Sequence, residues 1–280
     1  MENRYVIDNE YYDLGKDTKG QHHDVREVHP ILMKIILELD RICRKNNIPY
    51  ALSFGSALGI VNYGGFIPWD DDMDIGVPIE YYEELMQLLG KELPSPYRVC
   101  RYWDVEGCGT VFAKIDDTST CINDPRIPLP IEKQIGINVD VFPLNHCSFD
   151  NPKLKRLRLL QNWKRRIYTE STSCKKYKHI IKKILQFISP LSHKGFQDKI
   201  HKIVISINEG DILANLFSPY GLKEFMPNDY FGEPVLYQFE GTKLLGPCKP
   251  HEYLTQLYGD YMQLPPKEKR LVHADEIFLR

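Results

Sequence analysis

Residues 69–78 read WDDDMDIGVP, in which four aspartates, Asp70, Asp71, Asp72 and Asp74, run directly into a strand-like alternation. Met73, Ile75 and Val77 fall on one side of such a strand and Asp72 and Asp74 on the other, because successive strand side chains point to opposite faces. An apolar face of this kind demands a neighbouring strand and a covering layer, while the same strand must hold two carboxylates a pleat apart. Carboxylates about 4 Å apart repel by roughly 4 kcal/mol at the effective dielectric of a protein surface. The fold must therefore supply a compensating cation, and a merely solvated acidic patch would not be interleaved with Met73, Ile75 and Val77 or preceded by Trp69.

The flanking segments alternate in type. Residues 1–28 read as an N-terminal lead-in of loose packing. From Pro30, the apolar positions Ile31, Ile35, Leu39 and Ile42 recur every three or four residues, which predicts an amphipathic helix ending near Asn46 and Asn47. Residues 48–54 predict a short buried strand, 57–65 a brief helix or turn, 72–77 a strand closed by Pro78, and 79–93 a helix that stops around Gly90 or Pro94. Two further strands are expected at 110–117 and 136–144, with a Pro-rich loop between them. From Pro152 the pattern changes to basic amphipathic helices over 153–168 and 177–188, and a Gly/Pro-punctuated tail begins at Pro219. The expectation is an α/β (α+β) fold with a mixed central sheet and a helical, basic C-terminal part. Its divisions are a catalytic core over 29–150, a basic helical insertion over 151–218, and a C-terminal segment over 219–280 that completes the site.

Composition excludes several classes. The 280 residues carry a net charge of -2, against the strong basic excess expected of a nucleic-acid-binding domain. Seven scattered cysteines (Cys43, Cys100, Cys108, Cys121, Cys147, Cys174 and Cys248) include no C-x-x-C pair, which suggests reduced thiols in a cytoplasmic protein. The polar, acidic N-terminus lacks a secretory pattern, and the longest apolar run, 29–47, is broken by Lys34, Glu38, Asp40 and Arg41.

Asp72 and Asp74 suit one or two shared divalent cations, magnesium (or manganese), since magnesium commonly takes one or two protein carboxylates and completes its shell with water and phosphate. Asp140, between apolar Val139 and Val141, is placed to be the third carboxylate. Gly55 and Ser56, leaving a strand and opening a helix, offer backbone N–H groups and a hydroxyl to phosphate. Combined with an Asp-x-Asp strand shortly afterwards, they match the layout of a polymerase-β-like nucleotidyltransferase fold. An EF-hand is excluded, since its glycine position holds Ile75 and its closing glutamate position Tyr81. Two alternatives stay open: a nucleotide-sugar glycosyltransferase using Asp-x-Asp, and a non-catalytic divalent-cation-binding module.

Three blocks, residues 48–78, INVDVFPL around Asp140, and YGDYMQLPPKEKRLVH from Tyr258, resemble in order the signature blocks of the LicD family of phosphocholine transferases, to which the fukutin-related proteins are also similar. The resemblance implies transfer of a phospho-alcohol, phosphocholine first among them, from a CDP-alcohol to a hydroxyl of a cell-surface glycan precursor (lipopolysaccharide, teichoic acid or capsule), releasing CMP. It matches Asp72 and Asp74 to the metal pair, Asp140 to the aspartate of the second block, and Gly55 and Ser56 to the Gly-Ser turn. Asn62 and Tyr63 stand where many relatives carry Arg-His. In that reading Asp140, in preference to Asp70, takes the acceptor's proton, and Lys114 contacts a donor phosphate, with Asp116 a similar candidate. Asp71 is expected at the surface or behind the site. Phe66 and Trp69 pack the loop, Tyr258 and Tyr261 pack a turn near Asp260, and His22, His23, His29, His146 and His273 show no ligand spacing.

The stretch 153–183 holds twelve Lys/Arg against one acid, Glu170, beside the apolar Ile180, Ile181, Ile184, Leu185 and Ile188. Through 153–188 this predicts peripheral contact with anionic lipid at the inner face of the cytoplasmic membrane, where a lipid-linked glycan acceptor would sit.

Overall fold

The computed structural model describes residues 10–16, 20–123, 129–130, 133–168, 183–218, 220–270, 272 and 276–279. A first hairpin, β1 (Asp13–Lys16) and β2 (His22–Asp24), leads into α1 (His29–Lys45), β3 (Ala51–Leu52), α2 (Phe54–Asn62), β4 (Asp74–Pro78) and α3 (Ile79–Glu92). Then come β5 (Tyr97–Cys100), β6 (Ala113–Asp117), β7 (Thr120–Asn123), β8 (Asn138–Cys147), α4 (Pro152–Tyr168) and α5 (His193–Ile205). The chain closes with β9 (Ile212–Ala214), β10 (Met226–Pro227), β11 (Val235–Phe239), β12 (Thr242–Gly246), α6 (Pro250–Tyr258) and β13 (Glu276–Leu279).

The long strand β8 organises a mixed sheet of seven strands. On one edge it runs parallel to β4, from Asp74 opposite Asp140 to Pro78 opposite Leu144. On the other edge its first half pairs antiparallel with β6 and its last residues with β9. Strands β3, β5 and β10 extend the sheet outward from β4, β6 and β9. One face of the sheet carries Ile75, Val77, Ile115, Val139 and Val141 into a core with Leu32, Ile35 and Leu39 of α1 and Leu85 and Leu89 of α3. On the opposite face Phe142 and Leu144 pack with Phe54 and Ala57 of α2 and Tyr253, Leu254 and Leu257 of α6. Helices α4 and α5 close a third core around Cys147.

The expected mixed α/β architecture is thus present, and the differences are local. The strand expected over 48–54 shrinks to two residues because Phe54 takes a positive φ of 48° and opens α2. Its amide is held by the Tyr253 hydroxyl at 3.1 Å and its ring packs edge-on against Phe142, tertiary contacts that offset the strain. Helix α3 ends at Glu92, between the two expected stops, having passed Gly90, where nothing lies within 4 Å of an added Cβ. The lead-in is tighter than expected: Leu14 and Val25 are buried in the main core, and Asp24 starts a helical turn with a capping box closed by Glu27. Strands β1, β2, β5, β7 and β9 to β13 were not anticipated, so the C-terminal part expected to be helical also carries strands, β9 and β10 among them joining the main sheet. The helix expected over 153–168 forms as α4; of that expected over 177–188, residues 183–188 are helical and the rest, with Ile180 and Ile181, lies outside the described residues.

Asp116 is a structural anchor rather than a ligand of substrate phosphate. It is fully buried, and its two oxygens accept from Arg98 Nε at 2.9 Å and Nη2 at 3.0 Å, from the Gly136 amide at 3.1 Å and from the Cys100 thiol. Removing Asp116 leaves the buried Gly136 amide without its acceptor, while Arg98, its side chain 41% exposed, can turn to water, so the cost is about 1–3 kcal/mol. Asp116→Ala should lower the urea-unfolding free energy by about that amount, and Asp116→Asn by less because it keeps the acceptor oxygen; an unchanged midpoint in Asp116→Ala would contradict this role.

Candidate active site

Sheet register builds the centre of the site. Asp74 on β4, Asp140 on β8 and Lys114 on β6 are direct cross-strand neighbours, so their side chains share the face opposite the apolar core. Lys114 Nζ donates to Asp140 Oδ1 and, at 2.9 Å, to Asn138 Oδ1, and it lies 5.5 Å from the centre of the Phe112 ring. Around Asp74 the backbone is pinned: its N–H donates to Ser56 Oγ at 3.0 Å and its C=O accepts from the Ser53 amide at 2.9 Å. One residue earlier, the Met73 carbonyl accepts from the Asp140 amide at 2.8 Å. Ser56 therefore braces the aspartate strand with its lone pairs, leaving its own hydroxyl proton to point elsewhere.

The loop before β4 brings Asp70 into the same cluster. A Cβ on Gly55 would lie 2.5 Å from Asp70 Oδ2, so glycine at the start of α2 is what lets that carboxylate sit over the helix end. The Asp70 carbonyl meets His29 Nε2 at 2.8 Å, and the His29 ring stacks on Phe66 at 4.2 Å. Trp69 is enclosed by Tyr12 at 5.7 Å, Tyr63 at 6.3 Å and the Arg270 guanidinium at 4.9 Å, so it packs the loop as expected. Glu240, at the tip of the β11–β12 hairpin, accepts from the Phe66 amide at 3.1 Å, and Gly59 leaves room for the Gly65 carbonyl. Asp71 is buried, which excludes the surface and leaves the other of its two expected places, behind the site.

Electrostatically the cluster is short of positive charge. Burial, followed by the charge of Asp72, raises both Asp70 and Asp74 well above the ordinary carboxylate range; a hydrogen bond with Asp72 adds to the shift at Asp70. Burial also raises Asp140, against the pull of Lys114. Burial opposes the charge on Lys114, but the adjoining Asp140 carboxylate more than offsets it and holds the ammonium charged. Hard carboxylate oxygens with unspent negative charge are the donor type that suits magnesium or manganese. Among the described residues no three His, Cys, Asp or Glu side chains stand together as a ready-made metal cage. The fit is therefore one of donor chemistry, with Asp140 engaged by Lys114.

The C-terminal part adds groups that sequence reading missed. Glu224 is buried, accepts from Ser218 Oγ at 2.5 Å, and is pushed by burial up to about 8, with the Ser218 bond opposing the shift. Its charge acts on both Asp74 and Tyr253. Tyr220 stacks on Phe54 with centroids 5.9 Å apart and meets Tyr258 edge-on at 5.4 Å. Burial raises the Tyr220 hydroxyl against a hydrogen bond with Tyr258, and the charges of Glu224, Asp74 and Asp72 add to the rise. Lone polar residues between Gly and Pro carry no periodic signal, and only the fold brings them here. Tyr261 is buried as expected and Asp260 is exposed, while His273 lies outside the described residues.

Two outcomes follow from this geometry. Gly55→Ala should leave the fold intact, since the atom it strikes ends a side chain, yet displace Asp70 and lower turnover about 100-fold, as ångström-scale misplacement of reacting groups does; a variant with wild-type kcat would show that Asp70 is not needed in place. Glu224 has a folded pKa above its unfolded value, so the native state binds the extra proton and stability falls as pH rises from about 4.5 through about 8. Glu224→Gln should remove that slope, gaining up to ~5 kcal/mol on the wild type across the window in urea titrations.

Residues 47–199 match the family described as LicD/FKTN/FKRP, nucleotidyltransferase domain. Across 262 residues, 89% of this chain and 95% of the relative, the chain is 29% identical to the lipopolysaccharide cholinephosphotransferase LicD of Haemophilus influenzae. A shorter stretch of 86 residues, 29% of this chain and 17% of the relative, is 30% identical to the ribitol 5-phosphate transferase FKRP of Mus musculus. The human FKRP protein is 31% identical over 83 residues, 28% of this chain and 17% of its own length. With the family match spanning more than half of its length, and the acidic strand, the Gly-Ser turn and the Asp140 strand all inside the matched region, the chain belongs to the LicD family.

Proposed function

We propose that this transferase moves a phospho-alcohol, phosphocholine first among the candidates, from a CDP-alcohol to a hydroxyl of a cell-surface glycan precursor, releasing CMP. The observation that carries the reading is the row Lys114–Asp140–Asp74 across three adjacent strands, set against the end of α2. Its support from kinship is the match along almost the whole length of a cholinephosphotransferase.

Asp72 and Asp74 would hold a divalent cation, magnesium or manganese, which when bound offsets the negative charge of the donor diphosphate, while Asp140 stays paired with Lys114 beside them. The chain's own groups do the rest. Gly55 and Ser56 at the start of α2 direct amides and a hydroxyl toward phosphate oxygen. Lys114 supplies a mobile positive charge that passes between Asp140 and the donor phosphate. Asp140, made more basic than an ordinary carboxylate by burial, accepts the proton of the acceptor hydroxyl as that oxygen attacks the phosphorus bearing the alcohol. The new P–O bond forms as the diphosphate bridge breaks, and the electron pair of the broken bond leaves with CMP. Tyr220, 39% exposed against the buried Phe54, offers an aromatic face at the mouth of the site to the donor.

The test is product analysis with a panel of CDP-alcohols, magnesium and acceptor glycan. CMP should appear with CDP-choline or a related donor, and Asp74→Asn should reduce its rate at least ~1000-fold while the circular dichroism spectrum and unfolding midpoint are kept. Release of a nucleoside diphosphate from a nucleotide sugar would instead identify a glycosyltransferase, and cation binding with no turnover of any donor would identify a binding module.

A further inference from the structure

A strongly cationic helix follows the acidic cluster far along the sequence. Helix α4 carries seven Lys/Arg and no acid between Pro152 and Tyr168. Its buried side, Leu154, Leu157 and Ile167, packs toward α5, yet its outer side is not purely polar. Leu159 is 60% exposed and Trp163, one turn later, 50% exposed, with exposed Lys155, Arg156 and Arg166 around them. At the end of this helix, residues 183–188 form a short helical stretch tied back by Gln186 Nε2 donating to the Ile167 carbonyl at 3.0 Å. There Ile184, Phe187 and Ile188, spaced to share one face, are 54%, 91% and 64% exposed. A solvated helix face explains the charges, but not a tryptophan, a phenylalanine and three aliphatic side chains held among them.

We propose that α4 and residues 183–188 form a docking surface for an anionic lipid bilayer, with Phe187, Ile184, Ile188 and Trp163 entering the headgroup boundary and the Lys/Arg side chains pairing with lipid phosphates. Charge complementarity selects this occupant. An acidic protein partner would meet the same charges, but exposed aromatic and aliphatic side chains ringed by Lys/Arg are the composition of interfacial helices. The docking itself does not depend on the reaction proposed above.

Flotation of the full chain with phosphatidylcholine vesicles, with and without phosphatidylglycerol, decides the matter. The protein should float with the anionic vesicles only and be released as sodium chloride is raised, because headgroup attraction decays within a Debye length. Phe187→Glu with Ile188→Glu, and separately Lys155→Glu with Arg156→Glu and Arg166→Glu, should each lower the partition about tenfold or more without moving the unfolding midpoint. The proposal is overturned if the wild type stays in the soluble fraction, if both variants float as it does, or if the apolar pair instead disperses a self-associated form on gel filtration. Each of these results is read without any turnover, so failure of the docking surface and failure of the assigned reaction are distinguishable.

Discussion

Everything at this site depends on one piece of strand pairing, the parallel register of β4 on β8 that sets Asp74 beside Asp140. The same pairing buries Ile75 and Val77 with Val139 and Val141 on the other face, so apolar burial on one side holds acidic residues together on the other. At about 25 cal/mol per Å² of buried apolar surface, four such side chains supply several kcal/mol, comparable with the repulsion they must outweigh. Slippage by one residue would exchange the two faces, which is why the register is so strongly specified.

The repulsion that remains shapes the surroundings. Asp70, Asp72 and Asp74 would relax apart if their loop were free, but it is held from three distant parts of the chain. His29 and Tyr12 approach from the N-terminal side, Glu240 from the β11–β12 hairpin, and Arg270 from the C-terminal segment. Groups fixed in advance around a charged substrate need little reorganisation when it arrives, the usual source of catalytic advantage in transfer between phosphate esters. Glu224 and Tyr220 extend that frame from the far end of the sequence.

Much of this was legible without coordinates, and the reasons differ from residue to residue. Met73, Ile75 and Val77 announced a strand because a period of two is a strong signal, and Asp140 stood out as an acid between two valines. The Gly-Ser turn was visible too, though its main steric duty, making room for Asp70, was not. Asp116 looked like another phosphate contact; only the pairing of β5 with β6 brings Arg98 to both its oxygens. Asp71 could be read as a surface acid or as one behind the site, and only the folded loop decides for burial.

The sequence by itself determined the alternation that sorts acids from core, the order of the elements, the acidity of one strand and the basicity of one helix, because these are local patterns in side-chain chemistry. Tertiary structure alone decided which charges meet. Lys114 on Asp140, Glu224 near Asp74 and Arg270 over Trp69 join residues 26, 150 and 201 positions apart. No local preference encodes such encounters; they exist because one sheet, packed on both faces, brings separated strands and loops to a common edge.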